Sequence, residues 1–170
     1  MKHNYYVQGE DLNLRPVEEN DLERIRAWRN KESIRTFFVY QQLIKPNQQT
    51  VWYADYLEKN NDIMFIIEEK KSLQRPIGAV ALYNIDLKRL RAEFGRLMIG
   101  DSEANGKGLG LQATSLVCEF GFSVLGLKEI YLEVFAENQR AKRIYQSCGF
   151  INISTFERDG KRMLGMCVSK

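Results

Sequence analysis

The spacing of apolar positions changes several times along the chain, and each change marks an element. Leu12-Asn13-Leu14-Arg15-Pro16-Val17 reads as a first strand. Asn20 stands where an N-cap belongs, with Asp21 and Glu23 in the first turn, so a helix is expected to about Asn30. A second helix is expected from about Gln48 to Lys59. Residues 62–69, 76–83 and 92–100 are rich in strand formers, with a polar turn from Asn84 to Arg91 before the last of them. Between about Lys107 and Leu125 the period lengthens. Ala113, Leu116, Val117, Phe120 and Val124 recur at helical intervals and make one buried stripe. Ile130 to Phe135 is a strong strand, and Asn138 caps a further helix in which Ala141, Ile144, Tyr145 and Cys148 share a face. Gly149 is placed for a left-handed helix end. Strands at about 150–157 and 162–168 are joined by Asp159-Gly160, a hairpin signal.

The predicted order is β-α-α-β-β-β-α-β-α-β-β. Hairpins alternate with crossover helices, so a mixed α/β (α+β) fold is expected, with helices on both faces of one sheet. No repeats or Pro-rich linkers interrupt it, and residues 1–170 read as a single domain. Composition adds mainly exclusions. The net charge of +3 gives no warrant for a nucleic-acid or membrane partner. The basic clusters at Lys88-Arg89-Leu90-Arg91 and Arg140-Ala141-Lys142-Arg143 are local. No apolar run is long enough to span a bilayer, the first residues lack a signal-peptide core, and a cytoplasmic location is expected. Cys118, Cys148 and Cys167 are odd in number and lack metal-site spacing; they fit buried thiols in a reducing compartment. The one histidine, His3, is expected in a frayed terminus, which excludes a histidine triad or metal site.

Asn105-Gly106-Lys107-Gly108-Leu109-Gly110 lies between a strand and a long helix. Alternating glycines expose backbone N–H groups, and the helix behind them adds its positive dipole end. Together they suit a pyrophosphate. Lys107 is followed by Gly108 rather than Ser or Thr, so this is no Walker A loop. The spacing G-x-G-x-G in mid-chain also departs from the dinucleotide fingerprint. Taken alone, the loop is equally a glycine-rich turn opening a helix.

Downstream, Asn138-Gln139-Arg140-Ala141-Lys142-Arg143-Ile144-Tyr145-Gln146-Ser147-Cys148-Gly149-Phe150 fills every fixed position of N-x-x-A-x-x-x-Y-x-x-x-G-F. This resembles motif B of the GNAT superfamily of N-acetyltransferases, and the glycine loop resembles its motif A, usually Q/R-x-x-G-x-G/A. The likeness extends over most of the chain, including the opening Leu-x-Leu-Arg-Pro, and is nearest to the branch of ribosomal-protein, polyamine and amino-sugar acetyltransferases. Asn105 departs from the usual Gln or Arg, and the stretch from Gly100 to Ala104 is about one residue longer than usual.

The resemblance implies a mostly antiparallel sheet of about seven strands, splayed between the fourth (Glu93 to Ile99) and the fifth (Ile130 to Phe135). It implies acetyl-CoA as co-substrate, no metal, and direct transfer to an amine in a ternary complex. The expected cofactor contacts are the backbone of Leu97 and Ile99, the loop Asn105, Gly106, Lys107, Gly108, Leu109 and Gly110, then Asn138 and Lys142 or Arg143. Tyr145 corresponds to the family tyrosine that protonates the leaving thiolate. Glu93 is the first candidate base and Glu133 the second.

Trp28-Arg29-Asn30 resembles an element of members acting on nucleotide-linked amino sugars, in which Trp28 stacks and Arg29 meets a diphosphate; the same residues also read as a core tryptophan beside a solvated arginine. Trp52, Tyr53 and Tyr56 would line the acceptor pocket. An amino sugar is the acceptor expected first, a polyamine or a ribosomal-protein N-terminus the alternative, and a non-catalytic acyl-CoA sensor the alternative of another class. A monomer or homodimer is expected.

Overall fold

The structure, a computed structural model, describes residues 2–170. Eight strands form one sheet: β1 Val7–Gln8, β2 Leu12–Pro16, β3 Ile63–Glu69, β4 Arg75–Asp86, β5 Arg91–Ile99, β6 Glu129–Phe135, β7 Ile151–Arg158 and β8 Lys161–Ser169. The spatial order is β1-β2-β3-β4-β5-β6-β8-β7. All pairs are antiparallel except β5 with β6. Five helices complete it: α1 Leu22–Asn30, α2 Glu32–Arg35, α3 Pro46–Glu58, α4 Leu109–Ser123 and α5 Gln139–Ser147. The mixed fold, its splay and the helices on both faces agree with the expectation, with the short β1 and α2 added. None of the described helices is long and apolar enough to cross a membrane.

Strand alternation builds two cores. On β3, Ile63, Phe65 and Ile67 enter one with α4 and α5, while Met64 and Ile66 enter the other with α1 and α3. On β4, Val80 and Leu82 go to the first and Ala79 and Ala81 to the second. A sheet covered on both faces explains why residues 63–67 read as a continuous apolar run.

Several local expectations need correction. Asn20 does not cap α1. A 3-10 turn at Glu19–Asp21 precedes the helix, opened by a capping box between Glu18 and Asp21. Asp21 is buried and accepts two hydrogen bonds from Arg15, at 2.6 and 2.8 Å, and one from Arg24 at 3.0 Å. The second predicted helix, α3, starts earlier, with Pro46 at its first turn, where a missing N–H costs nothing. β4 continues through Asn84 to Asp86, which shortens the expected turn. His3 is not frayed: it is buried, bonded through Nε2 to the Met64 carbonyl (3.0 Å) and edge-on to Phe65. Gly149 and the Asp159-Gly160 pair all take positive φ, as the helix end and the tight hairpin require.

Candidate functional site

The parallel ladder between β5 and β6 is short. Arg91 faces Glu129, Ala92 faces Ile130 and Glu93 faces Tyr131, and there pairing stops. Beyond Glu93 the strands part. On its other side β5 is bulged: two steps of β4, Ala79 to Ala81, face three of β5, Gly95 to Met98. Arg96 occupies the bulge with φ +52°. The gap opens into a cleft of about 850 Å³, large enough for a cofactor and a small acceptor.

At one end of the cleft lies the glycine loop. Gly108 is the N-cap of α4 at φ +72°. The first N–H groups to bond back are those of Leu111 and Gln112, both to the Gly108 carbonyl, at 3.0 and 3.1 Å. The N–H groups ahead of them have no acceptor within the helix. A Cβ placed on Gly106 or Gly108 would meet nothing within 4 Å, so the loop faces open space. Gly106, Gly108, Leu109 and Gly110 line the cleft, and Arg140 and Arg143 line it from α5. Unpaired amides, a helix N-terminus and two guanidinium groups fit a pyrophosphate.

Not every residue of that cofactor set is brought in. Asn105 is exposed, and its Oδ1 accepts from Arg140 at 3.3 Å. Lys107 points to Ser72, 3.4 Å away. Lys142 turns back to donate to the Ala136 carbonyl at 3.1 Å; its expected alternative Arg143 lines the cleft, together with Arg140. Successive helix positions diverge by about 100°, so 140 and 143 share a face that 142 leaves. Asn138 does line the cleft, and its Oδ1 accepts from Ala141 N at 3.1 Å, capping α5 as expected. Leu97 and Ile99 line the cleft from β5.

Tyr145 is buried, with its ring edge-on to Phe94 (5.7 Å between centroids) and tilted on Phe150 (5.9 Å), yet it lines the cleft. Burial, with Cys148 nearby, holds its hydroxyl well above the ordinary tyrosine pKa. Glu93 is half-buried on the cleft wall. Its Oε1 accepts from the Tyr83 hydroxyl and its Oε2 from Asn84, both at 2.8 Å. Glu133 also lines the cleft but is paired with Arg158 at 2.5 Å.

The Trp28-Arg29-Asn30 expectation divides. Trp28 is 6% exposed, and a Cβ on Gly100 would overlap its indole. It supports the point where β5 turns toward the glycine loop and is not among the residues lining the cleft. Asn30 exchanges two hydrogen bonds with Ile44, donating at 2.9 Å and accepting at 2.8 Å. It staples the loop between α2 and α3. Lys31, unremarked in the sequence, donates to the Gly100 carbonyl at 2.6 Å. Arg29 alone faces the cleft. Its guanidinium lies 3.6 Å from the Phe38 ring centroid and donates to the Tyr40 carbonyl at 2.9 Å, while its Nη1 is buried without a partner among the described residues. Burial, with Arg35 nearby, brings its pKa down to about 10. A second cavity of about 310 Å³ under the α2–α3 loop shares the wall formed by Arg29, Phe38, Tyr40 and Arg96. Trp52 lines it, whereas Tyr56 is a buried core residue and Tyr53 packs beside it.

Comparison with known proteins agrees with this geometry. The profile of the acetyltransferase (GNAT) domain matches residues 11–151. The spermidine N(1)-acetyltransferase of Vibrio cholerae is 30% identical over 141 residues, covering 82% of this chain and 79% of that protein. That of Escherichia coli K12 is 31% identical over 142 residues, covering 82% and 72%. The crystal structure of the Vibrio cholerae spermidine N-acetyltransferase with CoA and spermine superposes with a TM-score of 0.84 at 26% identity, covering 95% of this chain and 96% of that one.

Proposed function

Because the chain belongs to the acetyltransferase (GNAT) family and is an acetyl-CoA-dependent N-acetyltransferase, we propose that it passes the acetyl group directly to a small primary amine in the gap between β5 and β6. One observation carries the proposal: pairing ends at Glu93, and the gap runs from that carboxylate to the unpaired amides of the glycine loop. The loop and the two arginines hold the phosphates of the co-substrate. The β5 backbone from Leu97 to Ile99 receives the pantetheine arm, beside a bulge that has taken it out of regular pairing with β4. An N–H there polarises the thioester carbonyl.

An alkyl amine has a pKa near 10 and arrives protonated. Glu93 takes its proton, directly or through water. Two neutral donors orient Glu93 without cancelling its charge, whereas Glu133 is neutralised by Arg158. Tyr145 supplies a proton to the departing thiolate. Its raised pKa keeps that proton on the hydroxyl at neutral pH.

For the acceptor, the relatives at 30–31% identity support a polyamine over the amino sugar expected first. The Glu93 carboxylate on the cleft wall, held by neutral donors alone, gives a polyamine a counter-charge. One specific observation favours the second reading, a nucleotide-linked amino sugar: Arg29 reaches the cleft with a buried, unpartnered Nη1. Such a group suits a phosphate and repels a polycation. A panel of spermidine, a free amino sugar, an amino-sugar nucleotide and a peptide N-terminus, read by free thiol released from acetyl-CoA, tests both. The polyamine reading expects spermidine to lead by tenfold or more in kcat/KM. A lead for the sugar nucleotide, with an acceptor KM raised by Arg29→Ala while the acetyl-CoA KM stays put, reverses it. Acetyl-CoA binding without turnover of any acceptor would leave the acyl-CoA sensor.

A further inference from the structure

Outside the cleft, a buried carboxylate is tied to the bulge. Asp62 stands at the entry to β3 and is 2% exposed. Its Oδ1 and Oδ2 accept from Arg96 Nη1 and Nη2 at 2.7 and 2.8 Å, a two-point grip that fixes the guanidinium plane. Lys59, at 3.6 Å, is a further cation at Asp62. Arg96 needs such a hold, because its φ of +52° lies in the left-handed region that side chains disfavour.

From this anchor the guanidinium covers the Tyr83 ring, 4.5 Å from its centroid. The Tyr83 hydroxyl in turn donates to Glu93 Oε1 at 2.8 Å. Gly95 completes the seat, since a Cβ there would come within 2.7 Å of that hydroxyl. Three near neighbours on β5 thus hold one tyrosine: Glu93 accepts its hydrogen bond, Gly95 leaves it room and Arg96 covers its face. The bulge makes this possible by setting Arg96 out of regular alternation with Gly95.

We propose that Asp62 is a positioning residue for acetyl transfer, holding Arg96 so that the Tyr83 hydroxyl keeps the Glu93 carboxylate aimed into the cleft. The proposal rests on the reading of Glu93 as the base. Asp62 touches no reacting atom; it acts through Arg96 and Tyr83. An ordinary stabilising ion pair would also make Asp62→Asn less stable, since it leaves a guanidinium unpaired in a half-buried site. Stability therefore does not separate the two roles, and coupling does.

The experiment is a double-mutant cycle in kcat on the full chain, using the best acceptor of the panel. Asp62→Asn and Tyr83→Phe are each expected to lower kcat about tenfold, with the acetyl-CoA KM unchanged. The double variant is expected to be no slower than the slower single one, because both break the same chain of contacts. Arg96→Lys, which keeps the charge and loses the fork, is expected to reproduce the fall and serves if Asp62→Asn does not fold. A double variant whose losses multiply overturns the proposal, as does wild-type kcat in Asp62→Asn or Arg96→Lys. Glu93→Gln separates the two failures. If it keeps full kcat, the base reading falls and takes this proposal with it. If it is impaired while the cycle multiplies, only Asp62 loses its role.

Discussion

Replacing Tyr145 with phenylalanine removes one oxygen and leaves the rest of the site in place. The ring contacts with Phe94 and Phe150 are made by carbons that phenylalanine keeps. The hydroxyl makes no hydrogen bond to any described residue, so no partner is left unsatisfied. Such a change is worth within about 0.5 kcal/mol of stability, a shift of about 1–2 °C in a chain of this length. The kinetic effect is of another size. Loss of a positioned general acid lowers turnover by roughly 10²–10⁴-fold, equivalent to about 3–5 kcal/mol in the barrier. Burial pushes the Tyr145 pKa up, so the hydroxyl keeps its proton throughout neutral pH. No alkaline loss of rate should trace to it below the ordinary tyrosine value of about 10. The assay is thiol release under saturating acetyl-CoA and acceptor, beside calorimetric binding of acetyl-CoA. The expected result is a large fall in kcat with nearly unchanged affinity and melting temperature. Wild-type kcat in a folded Tyr145→Phe variant would refute the reasoning and leave Tyr145 as a core residue.

Three further outcomes follow from the geometry. Gly108→Val takes a left-handed φ at a cost of about 1–2 kcal/mol but meets no neighbour, so the variant should fold; calorimetry should show acetyl-CoA affinity at least tenfold weaker, and unchanged affinity would remove the phosphates from this loop. Gly100→Ala should lower the melting temperature sharply, because its methyl group would overlap the Trp28 indole; an unchanged melting temperature would return Trp28 to the list of free ligand-facing residues. Glu69 is buried, which raises its pKa, but backbone N–H groups of Ser72, Leu73, Lys71 and Gln74 outweigh this and hold it at about 2 against an ordinary 4.5. A depressed folded value means that its stabilisation is present above pH 4.5 and is lost as pH falls toward 2, so Glu69→Gln should flatten the acid limb of a melting-temperature profile, and parallel limbs would contradict the assignment.

The parts legible in the sequence were those fixed by local chemistry. Of the expected stripe, α4 buries Ala113, Val117 and Phe120 and half-buries Leu116, while Val124, past the helix end, is exposed. The Asp159-Gly160 hairpin and the Asn138 cap follow from turn and cap chemistry that acts within three residues. The glycine loop was readable because its shape lies in the backbone: Gly106 and Gly108 take positive φ ahead of α4. What failed depended on distant partners. Trp28 is defined by Gly100, Asn30 by Ile44 and Asp62 by Arg96, and no local pattern announces those contacts. Lys142 and Arg143 differ only in helix phase, which a cluster of basic letters conceals. Asn20 lost the cap to Glu18 because a 3-10 turn displaced the helix start. Glu93 does line the cleft, but its partner Asn84 lies on the part of β4 expected to be a turn, and nothing local pairs Tyr83 with it.

The central claim is direct transfer from acetyl-CoA to an amine bound beside it, and initial-rate kinetics test it most directly. Thiol release is measured while acetyl-CoA and the best acceptor of the panel are varied together. With phosphates at the glycine loop, amine at Glu93 and no acyl-enzyme between them, both ligands must be present at once, so double-reciprocal lines should intersect. Parallel lines would indicate an acetylated enzyme released before the amine binds, and would contradict the account.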